Sequence, residues 1–300
     1  MWNGWNIRKP LRIASNTIKW HEQHYRKYFE PSILHKTKVK RIDKLMLETE
    51  CNRIIREFNL PRKEWGNIKT ILNGMFEYAI RKKYIPVNPM EKVQILVKFK
   101  QVVRKIGKTE TYNSDELKEL NRYLDHMFAE THDIVFYAVK LNFLLGLRVG
   151  ELVALKWEDY CDINHLHIVR EEVRNQITNQ YEIAEHTKTN RDRFIVLIPK
   201  AINILQKLEY QSEYILVRDG QRITSRQVAY VLEKYAERQG LATKSIHKMR
   251  KTFASNLNAS GVPLDCIREL LGHSNFNTTL GYIYNPLTEK ETYDLITKAL

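Results

Sequence analysis

Apolar residues recur at three- and four-residue intervals along most of this chain, the spacing of a helix with one buried face. Residues 16–29 form one amphipathic segment, ended by Pro31. Residues 44–58 form another, with Leu45, Leu47, Ile54, Ile55 and Phe58 as its apolar set. Pro61 stands where a helix can start with φ already set, and the pattern runs to about residue 83 through Trp65, Ile68, Ile71, Leu72, Phe76 and Ala79. Pro86 and the Asn88-Pro89 step stop it. Over residues 93–108 basic and apolar positions alternate, which predicts a linker, part of it paired as a strand. From Thr109 the helical period returns. Asn113 and Glu116 have capping-box spacing, Ser114 is a second candidate cap, and residues 134–145 are apolar on every face. Strand-like runs follow at 165–169, 181–184 and 193–198, the last closed by Pro199. Helical spacing then covers 200–210, 225–239, 247–259 and 264–271, and a tail at 287–300 carries Tyr293, Leu295, Ile296 and Leu300 as apolar positions. The expectation is a mainly α fold with a small β-sheet: a helical domain over 1–92, a basic linker over 93–108 and an α+β domain over 109–300.

Composition narrows the class. At 300 residues and 43% hydrophobic content the chain has room for one or two packed domains. No apolar run approaches the ~18 residues of a membrane span, and the first residues lack a signal-peptide core, which predicts a cytoplasmic protein with no membrane partner. Cys51, Cys161 and Cys266 are odd in number and scattered, so they are expected to be small buried apolar residues, not a disulfide or zinc framework. Charge changes the picture most. Residues 1–108 hold 25 Lys and Arg against 9 Asp and Glu, a net +16, while residues 109–300 hold 24 against 26, a net −2. An even spread would suit a soluble basic surface. Concentration in the first third suits a polyanion, because each phosphate neutralised releases counterions.

Candidate chemistry lies in the second part. His247 and Arg250 stand one helical turn apart, on one helix face. His273 follows Leu270-Leu271-Gly272, and Tyr282 comes nine residues later. Arg148 sits between Gly146 and Gly150, where an apolar helix ends, and Glu151 stands ready to orient it. Guanidinium groups offer a planar charged fork to phosphate oxygens, imidazoles move protons, and a phenol can attack: together, metal-free phosphoryl transfer. Each residue alone has a plainer use, Arg148 as a helix-end residue or Tyr282 as one of 16 tyrosines.

Taken in order, these motifs resemble the tyrosine recombinases of the phage integrase family: Gly146 to Leu152 with Leu155-Lys156-Trp157, Thr187-Lys188-Thr189, His247-x-x-Arg250, and Leu270-Leu271-Gly272-His273 with Tyr282. The resemblance implies a SAM-like helical core-binding domain, a linker that closes a clamp on the duplex, and an α+β catalytic domain. It implies a catalytic set of Arg148, Lys188, His247, Arg250, His273 and Tyr282, with Tyr284 as a rival nucleophile and with Arg191 and Arg193 as phosphate contacts or surface charges. Tyr282 would form a 3′-phosphotyrosine bond while Lys188 protonates the departing 5′ oxygen, without metal, ATP or any cofactor. Implied partners are double-stranded DNA with inverted-repeat core sites and a homotetramer on two duplexes, at the nucleoid; DNA-bending or directionality proteins stay open. The tail would dock on a neighbouring protomer or on its own domain. The family's separate arm-binding domain finds no room, so the chain is expected to lack it or to be a fragment. The implied function is integration and excision of a mobile element. The alternatives are a type IB topoisomerase-like relaxing enzyme and a non-catalytic DNA-binding regulator.

Overall fold

A computed structural model describes residues 15–103, 106–162, 164–175, 178–187 and 192–299. The chain forms two compact units, one comprising residues 1–104 with 175–178 and the other 105–174 with 179–300.

In the first unit α1 (Ser15–His24) runs on as a wider π turn through Tyr25–Phe29, followed by α2 (Ile33–Lys36), α3 (Lys44–Glu57) and α4 (Arg62–Arg81). Polar side chains start two of them: Ser32 Oγ accepts from the Leu34 amide at 3.1 Å and Asp43 Oδ1 from the Met46 amide at 2.8 Å. Pro61 is extended and precedes α4 by one residue. Tyr28, Leu47, Ile54, Ile55, Trp65, Ile68, Ile71 and Phe76 meet in one core. Leu45 departs from its expected burial and is exposed, since it lies on the face of α3 opposite the one that buries Leu47, Cys51, Ile54 and Ile55. Residues 93–103 also depart from expectation, because they form no strand. Among the described residues no strand pairs with them, and α3 side chains take the amides instead: Glu48 Oε2 accepts from Gln94 at 3.0 Å, and Asn52 Oδ1 from Leu96 at 2.7 Å and Val97 at 3.1 Å.

The second unit begins with α5 (Gly107–Glu110), α6 (Ser114–Thr131) and α7 (Val135–Leu145). Asn113 and Glu116 close the expected capping box. A short helix α8 (Val149–Val153) leads to strands β1 (Tyr160–Asp162), β2 (His165–Ile168), β3 (Glu171–Arg174), β4 (Tyr181–Ala184) and β5 (Arg193–Val196). After α9 (Pro199–Leu205), β6 (Val217–Arg218) and β7 (Gln221–Arg222) come α10 (Ser225–Arg238), α11 (His247–Ala259), α12 (Leu264–Leu271), α13 (Phe276–Leu280) and α14 (Glu289–Ala299). The apolar α7 is central: α6, α9, α10 and α11 all pack on it, which is why it has no polar face.

The fold is mainly helical, with its strands in three antiparallel groups: β1-β2-β5, the β3-β4 hairpin and the β6-β7 hairpin. In the first group Ile168 pairs with Arg193 and Leu166 with Ile195. Period-two alternation therefore turns Arg193 and Ile195 inward and leaves Phe194 and Val196 outside. Of the cysteines only Cys51 is buried; Cys161 on β1 and Cys266 on α12 are exposed, because each lies on the outward side of its element. Among the described residues no helix is long and apolar enough to cross a membrane.

Candidate active site

The first arginine owes its place to two glycines. Gly146 ends α7 with φ +61°, and a Cβ there would fall 2.2 Å from the Phe253 ring. The chain then turns so that Leu147 enters the core and Arg148 stands extended at the start of α8. Gly150 lets α8 lie on β3, since a Cβ would sit 2.7 Å from the Glu172 carbonyl oxygen. Glu151 folds back on Arg148, accepting from its backbone amide at 2.8 Å and from its Nη1 at 2.7 Å.

Glu151 is wholly buried, and it is the hub of the site. Arg193 reaches it from β5 with Nη1 at 2.9 Å and Nη2 at 2.6 Å, and Arg250 Nη1 stands 3.9 Å away. Burial pushes the carboxyl pKa up, but the bond and charge of Arg193, then Arg250 and Arg148, outweigh it and hold it at about 2. Three guanidinium groups surround one carboxylate, so positive charge is left over, which suits the site to an anion.

Arg250 is buried on α11 and joins the pieces. Its Nη1 donates to the Gly146 carbonyl at 2.9 Å, and its Nη2 donates to the Leu271 carbonyl and, at 3.2 Å, to His273 Nε2. Burial pulls its pKa down to about 9 against the pull of Glu151, which leaves it a cation at neutral pH. Among the described residues its buried Nε has no hydrogen-bond partner, so a donor remains.

His273 follows Gly272, which caps α12 with φ +61°. Burial and then the charges of Arg250, Arg148, Arg193 and His247 hold its pKa at about 3, so it is neutral. Nε2 takes the Arg250 bond, which assigns the ring proton to Nδ1, donating to Thr279 Oγ1 at 3.1 Å. His247 opens α11 in an exposed position, with Nε2 hydrogen-bonded to the Tyr282 hydroxyl. The Tyr282 ring lies edge-on to His247 at 4.9 Å and His273 at 4.7 Å, with Arg250 Cζ 5.8 Å from its centre. Tyr284 faces elsewhere, its ring 4.9 Å from Lys251 Nζ, while Ser255 Oγ accepts from its amide at 3.0 Å.

Arg148, His247, Arg250, His273 and Tyr282 thus line one open cleft of about 530 Å³, which Tyr284 does not reach. Lys188 lies outside the described residues, as does Arg191. Arg193, expected as a phosphate contact or surface charge, is buried and paired. Its signal was available in the strand: two-residue alternation puts it on the same face as Ile195 and Leu197.

The model of the phage integrase family matches residues 110–291, more than half of the chain. The chain belongs to the phage integrase family. Its relatives are tyrosine recombinases, and its activity is site-specific DNA recombination. It is 24% identical to a "Tyrosine recombinase XerC-like" protein of Caldanaerobacter subterraneus, over 95% of this chain and 76% of that one. It is 28% identical to tyrosine recombinase XerC of Haemophilus ducreyi, over 75% of this chain and 69% of that one. In fold it is similar to the Tn1549 transposon integrase in complex with a circular intermediate DNA, with TM-score 0.70, 19% identity and coverage of 96% and 95% of the two chains. A lambda integrase tetramer bound to a Holliday junction matches with TM-score 0.61 and 16% identity, over 95% of this chain and 76% of that one.

The buried groups of this recombinase make its stability acid-sensitive. The His273 pKa is lowered from 6.5 to about 3, so its contribution is present above 6.5 and lost as pH falls below it. The Glu151 pKa is lowered from 4.5 to about 2, so its contribution is present above 4.5 and lost as pH falls further. Calorimetry should show the melting temperature falling from pH 7 to 5, and His273→Gln should flatten that limb. Identical slopes for the two proteins would contradict a neutral buried His273.

Proposed function

We propose that Tyr282 is the nucleophile of a DNA strand-exchange reaction that integrates and excises a mobile element. The observation that carries this is the position of its hydroxyl, bonded to His247 in the same cleft as Arg148, Arg250 and His273. Tyr282 Oη attacks the scissile phosphorus, giving its proton to His247 Nε2. The bond from phosphorus to the 5′ oxygen breaks, and Lys188 protonates that oxygen. The protein then holds a 3′-phosphotyrosine, and the free 5′ hydroxyl of another strand reverses the step. Energy stays in the covalent bond, so the reaction draws on no ATP. Arg148 and Arg250 meet the phosphate with charge already in place, the task a metal ion performs in metal-dependent nucleases. His273 stays neutral and accepts from Arg250 at Nε2, which holds that guanidinium in place beside the phosphate.

In this reading residues 1–92 form a core-binding domain, residues 93–108 link it to the catalytic domain at 109–300, and the basic first third grips the backbone of inverted-repeat core sites. Four protomers act on two duplexes through a Holliday junction, in the cytoplasm at the nucleoid. Exposure of Tyr293, Leu295 and Ile296 on α14 supports docking of the tail on a neighbouring protomer.

The test is incubation with supercoiled plasmid carrying the DNA that flanks the gene, in chelator, with a second plasmid as exchange partner. An SDS-resistant protein–DNA adduct and a joined product are expected. An adduct with relaxation but no joined product would mark a relaxing enzyme, and tight binding without adduct a regulator.

A further inference from the structure

Arg193 is a buried, fully bonded charge beside the cleft that the reaction as described does not use. Its side chain is only 8% exposed, and it does not line the cleft. It stands at the first residue of β5, held inward by pairing with Ile168 of β2. All three of its nitrogens donate: Nη1 and Nη2 to the two oxygens of Glu151, and Nε to the Leu270 carbonyl at 2.8 Å. We propose that Arg193 is a positioning residue for the recombination reaction, aligning Arg148 through Glu151 and the His273 turn through Leu270 without itself touching DNA. This rests on the reading of Arg148, Arg250 and His273 as the groups around the scissile phosphate.

The geometry of the shared carboxylate carries the argument. Glu151 Oε1 accepts from both Arg193 and Arg148, while Oε2 accepts from Arg193 and from the Arg148 backbone amide. Arg193 therefore fixes the plane of a carboxylate that in turn fixes the Arg148 side chain. Arg148 keeps part of its surface in the cleft, so its fork meets the phosphate only if Glu151 does not rotate. At the other end, the neighbouring carbonyls of Leu270 and Leu271 are taken by Arg193 and Arg250 respectively. His273 follows two residues later. Gly272 gives the arginine its passage, since a Cβ there would lie 3.0 Å from Arg193 Cδ. A lysine has no planar fork and cannot span both the carboxylate and the carbonyl.

The test compares wild type with Arg193→Met, Arg193→Lys and the double variant Arg193→Met/Glu151→Gln, using single-turnover adduct formation at saturating protein on the flanking-DNA plasmid. Arg193→Met should cleave about 100-fold more slowly. Its DNA affinity should stay within about twofold, because no phosphate contact is lost. Arg193→Lys should recover part of the rate. The double variant should be no slower than about threefold below Arg193→Met, since both changes break the same link.

The pH profile separates positioning from simple loss of structure. Glu151 is faced by Arg148 from α8, Arg193 from β5 and Arg250 from α11, with His273 nearby. Without Arg193 its carboxyl protonates at higher pH, so Arg193→Met should lose cleavage rate toward acid earlier and more steeply than wild type, whose own acid limb comes from protonation of His247. A DNA-free measurement stands beside this: carbon NMR of the Glu151 carboxyl should show its titration moving upward in Arg193→Met and in Arg193→Lys.

Cleavage by Arg193→Met within about twofold of wild type would overturn the proposal. So would a loss of DNA affinity equal to the loss of rate, which would make Arg193 a phosphate contact, or an unmoved Glu151 titration. If Arg148→Ala cleaves like wild type while Glu151 does shift in Arg193→Met, the reading of Arg148 fails and the link from Arg193 to Glu151 stands.

Discussion

Replacing Tyr282 with phenylalanine abolishes covalent capture of DNA, lowering adduct formation by about 10⁴-fold or more, with DNA binding within about twofold of wild type. The change removes one oxygen, the atom proposed to attack phosphorus, while the ring remains. The ring stays, with its edge contacts to His247 and His273 and its place beside Arg250, so the pocket keeps its packing. Tyr284→Phe is the matched control. Its ring packs by Lys251 outside the cleft, and its amide bond to Ser255 survives the substitution, so its rate should stay within about threefold of wild type. Adduct yield after SDS treatment reads both. Adduct persisting in Tyr282→Phe and vanishing in Tyr284→Phe would transfer the nucleophile to the second tyrosine.

Arg250→Met is expected to cost about 10³-fold in cleavage and to leave stability within about 2 kcal/mol of wild type. The two parts have different causes. Cleavage falls because the variant loses a fixed cation that lines the cleft. Stability balances. A guanidinium pulled from 12.5 to about 9 carries about 5 kcal/mol of unfavourable charge burial, which the variant relieves. Against that, the carbonyls of Gly146 and Leu271 lose their partner, at about 1–3 kcal/mol each. The opposing effects are similar in size, and methionine fills much of the volume. Arg250→Lys keeps a charge but not the fork, so it should recover less than about tenfold of the lost rate. Denaturant unfolding and single-turnover cleavage separate the two quantities. A loss above about 4 kcal/mol in Arg250→Met would mean that Arg250 serves the fold first, and rates restored in Arg250→Lys would mean that charge alone suffices.

Both expectations describe a pocket in which function works against the comfort of its residues. Three arginines share one carboxylate, and a histidine stays neutral among them. The arrangement holds because the arginines come from rigid elements: Arg148 from the turn behind α7, Arg193 from a paired strand, Arg250 from a helix packed on α7. In the proposed reaction a phosphate entering the cleft would supply the missing negative charge.

Much of this was legible in the chain alone. Apolar spacing marked α3, α4, α7, α11 and α12 because helix burial is periodic over neighbouring residues. The capping box at Asn113 and Glu116 and the glycines around Arg148 are equally local. The order of the boxes pointed to Arg148, His247, Arg250, His273 and Tyr282, and folding brings these five to one cleft. Tertiary structure decided what depends on partners distant in sequence. Glu151 and Arg193 are 42 residues apart, and only the register of β5 against β2 turns that arginine inward to meet the carboxylate. The separation of Tyr282 from Tyr284, two residues apart, came from which side of α11 each ring packs on. The fate of residues 93–103 came from there being α3 side chains, not a strand, to receive their amides. Periodicity tells which face of an element is apolar; what that face meets, and whether a charge on it finds a partner, is set only when the elements pack.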